Sequence, residues 1–151
     1  MVYGQGYRRR KWPIATEYII SLHNKCPSTD IRIIAHSLGA GIVDETLVNL
    51  SNNSMWNSKI ASVHLVGAAI NNWLIVDHAL AIEHIVDKFY NLYNPEDDGL
   101  KINQLVESHQ PLRLVGAPKG NVYVNYTDTN VAYEILPLSD ADGDGNIEEL
   151  L

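Results

Sequence analysis

The chain has 151 residues, 46% hydrophobic and 19% charged, a composition that excludes a wholly disordered or collagen-like polymer and suits a single globular domain. Its net charge of −7 argues against a general nucleic-acid binder. Its single cysteine, Cys26, excludes an internal disulfide framework and a multi-cysteine zinc site.

The N-terminal residues Arg8, Arg9, Arg10 and Lys11 form a basic cluster. It reads as a solvated helix start, with a patch for an anionic partner as the alternative. It does not begin a signal peptide, because Thr16 and Glu17 interrupt the apolar residues that follow. No apolar run reaches the length of a transmembrane helix. The expectation is a soluble, unexported chain, with the cytoplasm slightly favoured. A helix is predicted over 13–23, opened by Pro13 and carrying Ile14, Tyr18, Ile19 and Leu22 on one face. Cys26, Pro27 and Ser28 end it. Residues 31–35, short and β-branched, read as a buried parallel strand. A helix over 39–50 follows, with Ile42, Val43, Leu47 and Leu50 apolar. Further strands are predicted over 62–66, 89–93 and 121–126, and further helices over 73–86 and 100–108. Strands separated by helices imply right-handed crossovers. The predicted fold class is α/β, with four parallel strands in sequential order and helices on both faces. In such sheets function gathers at the carboxyl ends of the strands.

The first of those ends reads Ala35-His36-Ser37-Leu38-Gly39-Ala40-Gly41. A turn this tight between strand and helix needs small residues two places either side of its centre, and Ala35 and Gly39 supply them. The stretch resembles the G-x-S-x-G nucleophile elbow, with alanine in the first glycine position. On these residues the chain is similar to the alpha/beta-hydrolase superfamily, in its lipase and esterase branches, over roughly residues 13–135. The resemblance implies that Ser37 is the nucleophile and that the Leu38 N–H donates to an oxyanion. It gives His36, beside the serine, a packing role. The triad acid of the superfamily follows the strand two places beyond the elbow strand. Here that turn contains Asp97, the first choice, and Asp98, the second. A simple helix-capping turn is the blander reading of the same residues.

The resemblance also implies a histidine after the last strand, and residues 127–151 contain none. His109 alone among the six histidines lies downstream of Asp97, but ahead of the last strand. The others read as helix-face or core residues. The segment before the elbow is too short for the strands that a complete hydrolase places there. Residues 1–138 therefore read as a partial hydrolase domain, its C-terminal half, and a complete triad is not expected. The predicted function is a serine hydrolase of esterase or lipase type acting on a small-molecule or lipid ester, incomplete in this chain. The alternative is a catalytically inactive fragment or interaction module that keeps the fold. The strand over 31–35 would form an open edge, available for self-association or for a partner.

Residues 139–151 form an acidic tail. Asp140, Asp142 and Asp144, followed by Gly145, are similar to the start of an EF-hand or dockerin calcium loop, whose alternate carboxylates ring the ion. The twelfth position, where a bidentate glutamate belongs, is Leu151. Calcium binding at these aspartates is expected to be weak, and no cofactor is required. Asn52 and Asn125 each head a glycosylation tripeptide, which carries no weight without export.

Overall fold

A computed structural model describes residues 12–95, 112, 116–117 and 125–131. Chain order gives α1 (Trp12–Lys25), β1 (Arg32–His36), α2 (Gly39–Ser51), β2 (Ser62–Val66), α3 (Trp73–Asp77), α4 (Ala79–Ile85), β3 (Phe89–Tyr93) and β4 (Tyr126–Asn130). The four strands form one parallel sheet in the order β1-β2-β3-β4. This is the α/β architecture that the alternating sequence predicts.

Each crossover steps to the next strand in the same direction, and right-handed steps of that kind carry their helices over the same side of a sheet. Every described helix contributes to one core. Ile19 of α1, Leu47 and Leu50 of α2, Ile75 of α3 and Ile82 of α4 pack with Ala35, Val63, Leu65 and Phe89. In register, Ile33, Val63, Phe89 and Tyr126 lie across this face of the sheet. On the other face Ile34, His36, Thr127 and Thr129 are exposed. Of the two helical layers expected from the sequence, the described residues supply one.

Local sequence explains the elements and where they depart from expectation. In α1, Pro13 sits in the first turn, where its missing N–H costs nothing, and His23 and Lys25 lie in the last turn, where cations suit the helix dipole. Thr16 and Ile19 are its buried residues, while Ile14 and Tyr18 are 63% and 67% exposed. The apolar stripe that the sequence groups on one face is thus divided. Part enters the core, and part borders an apolar groove of about 320 Å³ between α1, α2 and β1. In α2, Ala40, Val43, Leu47 and Leu50 recur at helical spacing and are buried.

The first strand sits one residue later than expected, because His36 still pairs with Val66, while Ile31 only lends its carbonyl to the Ala61 N–H at 2.9 Å. The helix expected over 73–86 breaks at His78 into α3 and α4. The last strand is Tyr126–Asn130, beginning where the expected one ends. Asp128 and Asn130 are poor strand formers, which hides β4 from a reading based on propensity. Asn125 lies in the turn just before it, giving its side-chain amide to the Val86 carbonyl. The helix expected over 100–108 and the acidic tail lie outside the described residues.

Candidate active site

Ser37 occupies the turn between β1 and α2, at the carboxyl end of its strand. Its φ is 51°, and it is the one non-glycine residue with positive φ among those described. A side chain in that region costs of order 1–3 kcal/mol and persists only where the surroundings fix it. Three neighbours do so here. The Ser37 N–H donates to the Val66 carbonyl at 3.2 Å, and the Ser37 carbonyl accepts from Ala40 at 3.2 Å and Ala69 at 3.0 Å. Small residues make the approach possible, since a Cβ added to Gly39 would meet that of Ala35 at 3.7 Å. Leu38 then enters α2 with helical φ and ψ of −62° and −21° and a side chain 71% exposed. Its N–H finds no acceptor among the described residues.

His36 points away into a different contact. Its ring lies 3.7 Å from where a Cβ on Gly67 would stand, and Gly67 itself has φ 54°. The imidazole therefore lies beside the turn after β2. Asp97, Asp98, His109, Asp140, Asp142 and Asp144 lie outside the described residues. Leu112 is anchored close to the elbow, since its N–H donates to the Ile70 carbonyl at 2.7 Å. Ile70 follows Ala69, and its side chain lies 3.6 Å from where a Cβ on Gly41 would stand.

Three other described histidines are engaged away from Ser37. His23 packs against the Trp56 ring at 5.1 Å. His64 bonds Ser62 Oγ at 3.1 Å and stacks on Tyr90, its cross-strand partner, at 4.8 Å. That is the satisfied histidine expected within a strand. His78, expected as a plain helix-face residue, instead bonds through Nδ1 to Asp44, at 2.8 and 3.0 Å to the two carboxylate oxygens. The hydrogen bond to Asp44 holds the His78 pKa above its usual value of 6.5, against the opposing effect of burial. A charged residue at a core position of α2 is the signal that could have revealed this pair.

A second polar cluster was hidden because β4 was. Asp128 accepts from the Asn91 side-chain amide at 2.8 Å, the Ala117 N–H at 2.9 Å and the Tyr126 hydroxyl at 2.7 Å. Asn91 is wholly buried, and its Oδ1 has no hydrogen-bond partner among the described residues. Among the described residues no three metal-ligating side chains converge, and no helix is long and apolar enough to cross a membrane. Compared with known proteins, the chain matches no family model, no curated protein and no solved structure.

Proposed function

We propose that this chain carries the nucleophile-bearing half of a serine hydrolase of esterase or lipase type, acting on an acyl ester. The observation that carries the reading is the positive φ of Ser37 at a strand-to-helix turn, in a parallel sheet. A serine tolerates that conformation at a cost that a glycine would avoid. The cost is explained if the hydroxyl is needed there. In the reaction, a base takes the hydroxyl proton as Oγ attacks the ester carbonyl carbon. The negative charge that develops on the carbonyl oxygen is met by the Leu38 N–H. The C–O bond to the alcohol then breaks, the base returns its proton to the leaving oxygen, and water hydrolyses the acyl-serine by the same steps.

His109 is the one candidate for a base in this chain, with Asp97 as its orienting acid, although a complete triad is not expected. Support for His109 comes from the path of the chain. Three residues of chain, at most about 11 Å, separate it from Leu112, which is bonded beside the loop that holds Ser37. Asp140, Asp142 and Asp144 are the proposed weak calcium ligands and take no part in the reaction. A second reading, an inactive module retaining the fold, is favoured by the engagement of His23, His64 and His78 with partners other than Ser37.

Fluorophosphonate labelling of the chain, Ser37→Ala and His109→Ala decides between them. Without an effective base the hydroxyl stays protonated, so the isolated chain is expected to label slowly. Rapid labelling lost in both variants supports a complete triad in this chain. Rapid labelling that needs Ser37 but not His109 assigns another base. No labelling of a folded chain supports the inactive module.

A further inference from the structure

The segment that follows β2 is fastened to the elbow helix at two points. Near its start, the Ala69 N–H bonds the Ser37 carbonyl, and Ile70 lies against Gly41 of α2. At its end stands His78, which joins α3 to α4 with non-helical φ and ψ of −103° and 10°. Its N–H donates to the Leu74 carbonyl and its carbonyl accepts from Ile82, both at 3.0 Å, so its backbone belongs to both helices. Its side chain crosses to Asp44, a carboxylate 5% exposed on α2. A carboxylate buried on an apolar helix face is costly unless it is paired. The imidazole is its one hydrogen-bonding partner among the described residues.

We propose that Asp44 and His78 form a pH-sensitive latch, which fastens the 67–78 segment to the helix behind Ser37 when His78 is protonated and releases it when His78 is neutral. The charged groups that face the imidazole are Asp44 and Glu45 on α2 and Asp77, the residue before it. All three are acidic and all favour the imidazolium. Because the folded-state pKa is raised above 6.5, the pairing energy is fully present below that value. It is lost as the pH rises through the higher, folded-state midpoint. Above that midpoint the neutral ring still donates one hydrogen bond, but the buried carboxylate no longer faces a positive charge. The part released contains Ala69, which holds the Ser37 carbonyl, so the latch sets how firmly the turn is held. It works the same way whether or not Ser37 reacts.

The test is the full chain, followed by NMR titration of the His78 ring and by amide-exchange protection factors at Ala69, Leu74 and His78. The expected result is a His78 midpoint above 6.5 that drops in Asp44→Asn. Protection at the three amides is expected to fall as the pH passes that midpoint. His78→Gln keeps a side-chain donor for Asp44 but does not titrate, and its protection is expected to stay level over the same range. The proposal is overturned if wild-type protection is unchanged across the midpoint. It is overturned equally if His78→Gln shows the same fall, or if Asp44→Asn leaves the midpoint where it was.

Discussion

The N–H of Ala69 donates to the carbonyl of Ser37 at 3.0 Å, so the loop after β2 holds the turn after β1. Val66 completes the arrangement by accepting from Ser37 itself. Both contacts come from β2 and the loop that follows it. The conformation of Ser37 is therefore set by the sheet and its connections rather than by local preference, which opposes it. Pairing between β1 and β2 is what makes a strained serine affordable here.

That strain is measurable. Ser37→Gly is expected to match or exceed the wild type in stability, gaining up to about 1 kcal/mol, because glycine adopts positive φ freely while adding some freedom to the unfolded chain. Ser37→Val is expected to lose about 1–3 kcal/mol, since a β-branched residue is least at home there. Urea denaturation of the three chains measures both. A Ser37→Gly chain clearly less stable than wild type would show that the turn carries no strain.

A similar argument applies beside β4, at the other end of the strand order. Gly116 has φ 68°, and a Cβ there would stand 2.8 Å from Asp128 Oδ2. Gly116→Ala is expected to cost about 1–3 kcal/mol, through the backbone and through displacement of a carboxylate that three donors hold. In an Asp128→Ala background the clash is gone, so the same substitution is expected to cost less. Equal costs in the two backgrounds would mean that the close approach is not the reason.

Much of this was legible in advance, and the exceptions have identifiable causes. The bounds of β2 and β3 follow from Val63, Leu65, Phe89 and Tyr90, a β-branched and aromatic run with turn residues behind it. The helix break at His78 is invisible because apolar residues continue on both sides of it. Only the side-chain bond to Asp44, thirty-four residues away, marks the position. The Asp128 cluster is a tertiary solution to placing a carboxylate in a strand, and no local pattern announces it. At the candidate site, the small residues around Ser37 signalled the turn. The partners of Ser37 would come from distant segments, where sequence gives order but not distance.

Among the described residues β1 pairs with β2 alone, and its other edge makes a prediction about association. Ser37 bonds Val66 of β2, and backbone groups alternate in direction along a strand. The N–H and C=O groups of Arg32, Ile34 and His36 therefore face away from β2. Ile34 is 77% exposed beside them. An apolar open edge invites further pairing, and a lysine discourages it. The wild-type chain is expected to self-associate as its concentration rises in sedimentation velocity, and Ile34→Lys to remain monomeric under the same conditions. A wild-type chain that stays monomeric at high concentration, with strong amide protection at Ile34, would show that the edge is already covered.

Asn91 offers a test in which pH reverses the outcome. It is wholly buried on β3, opposite Asp128 of β4, and donates to that carboxylate at 2.8 Å. Asn91→Asp barely changes the shape of the side chain but replaces the donor with a second carboxylate. Near pH 7 two negative charges would then meet at hydrogen-bond distance, one of them away from water. A charge placed at the buried position 91 without a partner costs at least about 1–3 kcal/mol, and the new repulsion from Asp128 acts in the same direction. The introduced carboxyl avoids this by keeping its proton, because burial and the nearby Asp128 charge both disfavour ionisation. Once protonated it donates a hydrogen bond to Asp128, much as the amide did. The loss of stability relative to wild type is therefore expected to be large at pH 7 and to shrink as the pH falls toward about 4.5, close to the ordinary carboxylate range. Urea denaturation of both chains at the two pH values provides the comparison. A loss that is the same at both would mean that shape or packing at position 91, rather than charge against Asp128, sets the cost.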